Sequence, residues 1–175
     1  MALHQIQIKY DQVEDRLLLR LSSTEGDEFR FWLTRRFVER LWGMLLTMLE
    51  WDEAVQQQFD QERRRNVLEI RHEGYAREGN FAKPFEGAPR LPLGAAPVLV
   101  AKANGSKSGK GVHVLSLLPA QGQGIDLTLD QKLLHLFVRL LRESVEKAGW
   151  GMDLRLYQGG EGQPPAVESG PRKLN

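Results

Sequence analysis

One stretch in the second half of the chain has the composition of a phosphate-binding loop. Residues 102–111 read KANGSKSGKG, with three lysines, three glycines and no acidic residue. A phosphate-binding loop has four residues between its glycines, continues as Gly-Lys-Ser/Thr, and opens a helix whose first amides bind the phosphates. Here three residues separate Gly105 from Gly109, a glycine follows Lys110, and the next residues, VHVLSLL, alternate like a strand. The spacing therefore argues against a nucleotide-binding loop.

The same stretch has the features of a hairpin tip. An Asn-Gly pair favours the positive backbone φ angles of a tight turn, and the small polar residues after it lengthen the tip. We therefore expect the chain to turn at Asn104-Gly105. Lysines keep such a tip soluble, and Lys107 and Lys110 are candidates for contacts with nucleic-acid phosphates.

The other reactive side chains form no recognisable catalytic or metal-binding pattern. The chain has no cysteine, which excludes disulfides, thiol nucleophiles and cysteine-ligated metals. The histidines at positions 4, 72, 113 and 135 show no metal-ligand spacing, and no nucleophile elbow or catalytic carboxylate pair is recognisable. We therefore expect a protein that is not an enzyme and that uses no metal or cofactor.

Two parts of the chain have the same order of secondary structure. Each has three segments in which apolar residues alternate, followed by a segment with helical spacing. In the first part the strand patterns lie at 4–10, 16–22 and 28–33, before a helical pattern at 35–51. In the second part they lie at 97–103, 111–119 and 125–130, before a helical pattern at 131–149.

The two parts match with a constant displacement of 96 positions, from Phe29 to Ile125. A three-stranded unit alone would leave an apolar sheet face and a helix stripe uncovered. We therefore predict an α+β fold of two similar β-β-β-α units, residues 4–50 and 96–157, in a pseudo-twofold arrangement with helices packed on antiparallel sheets. Nine positions keep their apolar or capping character without a gap, namely Phe29, Phe31, Leu33, Thr34, Phe37, Val38, Leu41, Trp42 and Leu45 of the first unit.

The rest of the chain joins or follows the two units. Residues 52–78 have the pattern of an additional central helix, and four prolines and two glycines between 80 and 97 predict an ordered surface strap. We expect a single domain over residues 1–157. The segment 158–175 is rich in glycine, proline and glutamate, and we expect it to be disordered.

Composition restricts the classes of partner. Apolar residues make up 41% and charged residues 27% of the chain, and the net charge is +1. A strongly basic protein that coats duplex DNA is therefore excluded, and any electrostatic binding must come from a local patch. The N-terminal residues do not have the pattern of a secretory signal, and no apolar stretch is long enough to span a membrane. We expect a cytoplasmic protein.

The outward face of the first sheet is the principal candidate site. If the alternating aliphatic and phenylalanine side chains face the helices, the opposite face carries Lys9, Arg20, Arg30 and Trp32 among amides, and we expect no carboxylate there. Proteins that bind single-stranded nucleic acid combine cations along the backbone with an aromatic on which bases stack. The alternative is a solvated sheet face whose Trp32 packs on the strap or on a partner subunit.

The matching face of the second sheet is more apolar. Its predicted residues are Val98, Val100, Val114, Ser116, Leu118, Asp126 and Thr128. This composition predicts that the face is covered, and self-association into a homo-oligomer would cover it.

Two resemblances accompany these patterns. The string EDRLLLRLS…EFRFWLTRRFVERLW resembles an uncharacterised bacterial family, which implies no activity. The order of strands and helix, repeated twice, resembles that of the single-stranded-DNA-binding transcriptional regulators of the Whirly and PUR type. Those families have four strands before each helix, whereas this sequence has three, and no family motif can be matched residue by residue. The resemblance implies a role in binding single-stranded nucleic acid, related to transcription.

The sequence thus supports two functional hypotheses. The first is a non-enzymatic protein that binds single-stranded nucleic acid through Lys9, Arg20, Arg30 and Trp32, with Lys107 and Lys110 on the tip. The alternative is a self-associating structural or interaction protein that binds no nucleic acid.

Overall fold

The computed structural model describes residues 2–78, 83–109 and 111–156 of the chain. These residues contain six strands and four helices. Lys110, residues 80–82 of the predicted strap and the predicted tail at 158–175 lie outside the described residues. The α+β class and the two β-β-β-α units are confirmed. In chain order the elements are β1 (Leu3–Asp11), β2 (Arg16–Ser23), β3 (Glu28–Leu33), α1 (Arg35–Glu50), α2 (Glu53–Gln56), α3 (Gln61–Glu78), β4 (Val98–Gly109), β5 (Val112–Pro119), β6 (Ile125–Asp130) and α4 (Gln131–Ala148).

The six strands lie side by side in chain order. Neighbouring strands within each unit are antiparallel. The two units meet where β3 and β4 run parallel, and this junction is short, because it pairs only Phe31 with Val98 and Trp32 with Leu99. Each unit is therefore a three-stranded sheet, and a brief parallel contact makes one sheet of the two.

The strand registers repeat with the displacement found in the sequence. Leu17 of β2 pairs with Leu33 of β3, and 96 positions later His113 of β5 pairs with Leu129 of β6. The register between β4 and β5 is displaced by one further residue, because β4 contains an irregularity between Val100 and Lys102. The similarity therefore extends from side-chain character to hydrogen-bonding register.

The two long helices also begin at equivalent positions. Thr34 caps α1 by accepting a hydrogen bond from Phe37 N, and Asp130 caps α4 by accepting one from Leu133 N. Each cap satisfies an amide that has no partner within the helix. Strand, cap and helix follow each other in both units without an intervening loop.

Contacts between the units come in reciprocal pairs, as a pseudo-twofold arrangement requires. α1 of the first unit packs against β4 of the second, where Met48 lies against Gly105. α4 of the second unit packs against β1 of the first, where Ser144 Oγ donates a hydrogen bond of 3.0 Å to the Ile8 carbonyl. Met48 and Ser144 are themselves 96 positions apart. Each helix therefore covers the first strand of the other unit.

The core lies between the inner face of the sheet and helices α1 and α4. Burial of these side chains, at roughly 25 cal/mol per Å² of apolar surface, is the main favourable term in folding. The side chains with no exposed surface are Leu17, Leu19, Leu21, Phe31, Leu33, Val38, Leu45, Met48, Leu49, Leu115, Leu117, Leu127, Leu129, Leu134, Phe137, Val138 and Leu141.

The predicted turn at Asn104-Gly105 is wrong. β4 continues through both residues, and the hairpin closes after Gly109, which pairs with Val112. Gly105 lies within the strand against α1, where a Cβ would lie 2.8 Å from Met48 Sδ. The prediction was based on the turn preference of Asn-Gly, whereas in the structure Gly105 allows α1 to pack closely on β4.

Two further details differ from the sequence-based predictions. Val100 is buried in the core and not on the outward face, because the irregularity after it reverses the alternation of β4. The predicted central helix at 52–78 is two helices, since Asp52 caps α2 and Asp60 Oδ1 accepts a hydrogen bond from Arg63 N at the start of α3.

Two glycines provide a matched test of packing. A Cβ at Gly124 would overlap the Leu117 carbonyl oxygen, whereas one at Gly43, on the exposed side of α1, would meet no atom within 4 Å. We expect Gly124→Ala to lower the free energy of unfolding by about 1–3 kcal/mol. We expect Gly43→Ala to raise it by about 1 kcal/mol, because alanine is the better helix former. Urea denaturation measures both, and equal effects would contradict the close approach at Gly124.

Candidate nucleic-acid interface

The strap lies across one end of the outward face of the first sheet. At β1, Gln5 Nε2 donates to the Pro84 carbonyl at 3.4 Å, and Glu86 N donates to Gln5 Oε1 at 2.9 Å. At the start of β3, Glu28 N donates to the Arg90 carbonyl at 2.8 Å. The strap is therefore held by the sheet at both ends.

A buried carboxylate lies at the centre of this covered area. Glu28, whose side chain is 1% exposed, accepts hydrogen bonds at Oε1 from Arg20 Nε (2.8 Å) and Arg30 Nε (2.7 Å). Its Oε2 accepts a bond from Ala88 N of the strap at 3.1 Å. Burial alone raises the pKa of Glu28, but the bonds from Arg30, Arg20 and Ala88 outweigh it and lower the pKa below its usual value. Glu28 is thus ionised and joins both arginines to the strap.

The expectation that this face lacks a carboxylate is therefore wrong. Glu28, Arg30 and Trp32 are alternate residues of β3, so the same period that placed Arg30 and Trp32 outward also places Glu28 there. The signal was present in the sequence and was overlooked. Its burial could not have been foreseen, because it depends on a strap about 60 residues away.

The two arginines have further partners in the strap. The Arg20 guanidinium lies 4.2 Å from the centre of the Phe85 ring, which is a cation–π contact. Arg30 Nη1 donates to the Ala95 carbonyl at 3.1 Å. Two of the four cations and aromatics predicted for nucleic-acid contact are thus held in intramolecular interactions.

Lys9 and Trp32 lie beyond the strap. They belong to a row across four strands in which Lys9 pairs with Leu18, Leu18 with Trp32, and Trp32 with Leu99. We call Leu18, Trp32 and Leu99 the outer row. Leu99 is 45% exposed, and Leu18 and Trp32 are half-buried. This row therefore has three apolar side chains and a lysine at one end, and Arg16, two residues before Leu18, is on the same face of β2.

Lys107 is not close to this row. It pairs with His113, whose side chain faces the core, and Lys107 Nζ lies 5.6 Å from the centre of the Trp51 ring at the end of α1. Lys107 is therefore on the helix side of the sheet, opposite Trp32, and Lys110 lies outside the described residues. The structure brings Arg20 and Arg30 together and places Lys9 and Trp32 in a neighbouring row, without uniting the six predicted contacts.

The second sheet has different residues at the equivalent positions. Ser116 and Asp126 stand where the first sheet has Arg20 and Arg30, and Ser116 Oγ donates to Asp126 Oδ1. Gly124 stands in place of Glu28. The two units share their inner faces but differ in the chemistry of their outer faces.

A buried histidine pair, which the sequence did not reveal, joins α3 to α4. His72 and His135 face each other with their Nδ1 atoms 3.2 Å apart. Burial lowers the pKa of His72 to about 4, with a further contribution from Arg142 and Arg139. Burial lowers the pKa of His135 to about 3, helped by His72 and Arg71. Both rings are therefore neutral near pH 7, and one Nδ1–H donates to the other Nδ1.

The residues around the pair are cationic and aromatic. Arg71 Nε lies 2.6 Å from Asp52 Oδ2, and Arg71 Nη2 donates to the Tyr75 hydroxyl at 3.0 Å. The Tyr75 ring lies 5.2 Å from that of His135, measured between ring centres. Residues 2–78, 83–109 and 111–156 contain no group of three histidine or carboxylate side chains that could hold a metal ion. The pair is therefore a packing contact between helices in this part of the chain.

Comparisons with known proteins add no assignment. No family model, no curated protein and no solved structure that was compared with the chain matches it. Among the described residues, none of the helices is sufficiently long and apolar to span a membrane.

Glu28 provides a test of how strongly the strap is held. We expect Glu28→Ala to lower the free energy of unfolding by about 3 kcal/mol, because it leaves Arg20 and Arg30 partly buried without their anion. The control is Glu25→Ala, since the Glu25 side chain is exposed and should contribute less than about 0.5 kcal/mol. Urea denaturation measures the free energy of unfolding of both variants. Similar losses for Glu28→Ala and Glu25→Ala would show that the Glu28 carboxylate does not stabilise the fold.

The histidine pair predicts a loss of stability in acid. Because the pKa values of the folded state lie below the unfolded value of 6.5, the unfolded chain binds more protons between about pH 6.5 and pH 4. The free energy of unfolding should fall by the order of 2 kcal/mol per histidine from pH 7.5 to 5. His72→Phe should reduce this slope, whereas the exposed His4→Gln should leave it unchanged. A slope that His72→Phe does not alter would contradict the assignment.

Proposed function

We propose that this protein is a non-enzymatic interaction protein that self-associates through the outward face of its sheet. The observation that carries this proposal is the engagement of Arg20 and Arg30 by Glu28 beneath the strap. With these cations held, the part of the face that is open to a partner is the outer row, whose three side chains are apolar. An apolar row is complementary to itself, so a second copy of the chain fits it without a charge partner.

The second sheet extends this surface. Val112, Val114 and Leu118 of β5 are half-buried and alternate on the outward side of the same six-stranded sheet. A specific dimer buries about 800 Å² on each partner, which is more than three side chains can supply. The outer row and the outward side of β5 therefore act together in the proposed contact, in which two sheets pack face to face. Lys102, Asn104 and Ser106 of β4 lie between the two apolar groups.

Sedimentation equilibrium tests the proposal. We expect a species of twice the chain mass of 19.9 kDa, with an association constant that depends little on salt. Leu99→Lys should weaken association at least about tenfold, because it places a charge in an apolar contact. The matched control is Ile70→Lys on α3, a 70% exposed position away from the sheet. A monomer at all concentrations, or equal effects of the two substitutions, would refute it.

Binding of single-stranded nucleic acid is a second candidate, favoured by one specific observation. Trp32 is half-buried and lies in one cross-strand row with the exposed Lys9, so a base stacked on Trp32 would bring a phosphate towards the lysine. In this form the site no longer depends on Arg20 or Arg30.

A labelled oligo-dT in a fluorescence anisotropy titration separates the two candidates. If nucleic acid is bound, Trp32→Ala should weaken binding about tenfold, since one stacked base contributes about 1–3 kcal/mol. Arg30→Ala would then have a smaller effect, because Glu28 already binds Arg30. No binding at low ionic strength excludes this candidate and leaves self-association as the proposal.

A further inference from the structure

A small pocket lies between α1 and the beginning of β4. Its volume is about 210 Å³, and it is lined by Phe37, Arg40, Leu41 and Met44 of α1 and by residues 101–103 of β4. Phe37, Leu41 and Met44 form an apolar wall, and Arg40 and Lys102 are exposed cations at its rim. Small-molecule sites usually have volumes of about 300–1,000 Å³, so this pocket holds a single side chain better than a whole ligand.

The duplication shows that the cations are peculiar to this pocket. Arg40 corresponds to Leu136 of α4, which lies 96 positions later, and Met44 corresponds to Leu140. Leu118 corresponds to Ser22, which lies 96 positions earlier. Lys102 pairs with Leu118 and Gln5 pairs with Ser22, so Lys102 is the structural equivalent of Gln5, which binds the strap. The equivalent junction of α4 with β1 therefore has a leucine and a strap-bound amide where this junction of α1 with β4 has an exposed arginine and an exposed lysine.

Neither cation has a carboxylate at an adjacent structural position. The neighbours of Arg40 one turn away on α1 are Arg36, Phe37, Gly43 and Met44. Lys102 faces Leu118 across the strands. No ion pair of Arg40 or Lys102 occurs within residues 2–78, 83–109 and 111–156. The positive charge at the rim is thus not neutralised by this part of the protein.

The pocket also adjoins an open sheet edge. β4 pairs with β3 only at Val98 and Leu99, and from Lys102 to Gly109 its pairing within the described residues is with β5 alone. The backbone groups on the other edge of a strand can pair with an added strand, whose side chains alternate between pockets and solvent.

We propose that this edge binds an extended acidic segment of another polypeptide as an added strand. One apolar side chain of the segment enters the pocket against Phe37, Leu41 and Met44, and carboxylates beside it pair with Arg40 and Lys102. The pocket lies on the helix side of the sheet and the outer row on its outward side. Lys102 pairs with Leu118 and therefore adjoins the proposed dimer contact, but the inference does not require self-association.

The charge pattern favours such a partner over a second copy of the chain. Pairing of two β4 edges would bring together two strands that each carry two lysines and no carboxylate, and like charges across a strand pair are unfavourable. An acidic segment has the opposite charge, and its amides can complete the edge, which a nucleic-acid backbone cannot do.

The experiment uses the full chain and a fluorescein-labelled peptide of sequence EDLFDE, with KKLFKK as the charge-reversed control peptide. We expect the acidic peptide to bind at low ionic strength, to weaken with added salt, and to shift the amide NMR signals of residues 101–106. Arg40→Ala with Lys102→Ala should weaken binding at least about tenfold. Arg63→Ala on α3, whose side chain is 71% exposed and whose Nε lies 3.1 Å from Asp60 Oδ2, should not weaken binding.

Several outcomes would overturn the proposal. These are no binding of the acidic peptide, equal binding of KKLFKK, signal shifts confined to other strands, or unchanged binding by the double variant. Thermal unfolding of each variant establishes that a loss of binding is not a loss of fold. If oligo-dT shifts the amide signals of residues 101–106 and the acidic peptide does not bind, the inference is refuted and the pocket is assigned to nucleic acid. Sedimentation of Leu99→Lys tests the dimer contact, and peptide binding by Arg40→Ala with Lys102→Ala tests the edge of β4, so the two proposals fail separately.

Discussion

The reciprocal packing of each helix on the first strand of the other unit is the constraint on which the rest of the structure depends. α1 covers β4 and α4 covers β1, so neither β-β-β-α unit can bury its apolar face without the other. The contact points differ in chemistry, with Met48 against Gly105 in one and Ser144 bonded to the Ile8 carbonyl in the other. The short parallel junction of β3 and β4 adds little by comparison, since it joins only two residue pairs.

Because the inner faces must stay complementary, the two units differ mainly on their outer faces and edges. The first sheet has the Glu28 carboxylate, two arginines and a strap, whereas the second has Gly124, Ser116 and Asp126 at those positions. At the helix–strand edge the difference is reversed, and the cations are in the pocket beside β4. A duplicated fold can change such positions independently, because they make no contribution to the shared core.

Arg20 and Arg30 show that cations predicted on an open surface can be bound within the molecule instead. Counted along the sequence, Arg20 and Arg30 are two cations on an open sheet face. In the fold both bind the Glu28 carboxylate and hold the strap, so one of their two positive charges is balanced within the molecule. The outer row beyond the strap has three apolar side chains, and for this reason we favour a protein partner there over nucleic acid.

By itself the sequence determined the duplication, the caps of α1 and α4, and the strands and long helices of both units, apart from the extent of β4. These follow from local periodicity, since residues such as Phe31, Leu33 and Thr34 fix a strand, its buried face and the start of a helix within a few positions. Tertiary structure alone decided that the strap covers the arginines, that Gly105 is a packing residue, and that His72 meets His135. Each of these joins residues about 60 positions apart, and hydrophobic periodicity carries no information on which distant segments meet.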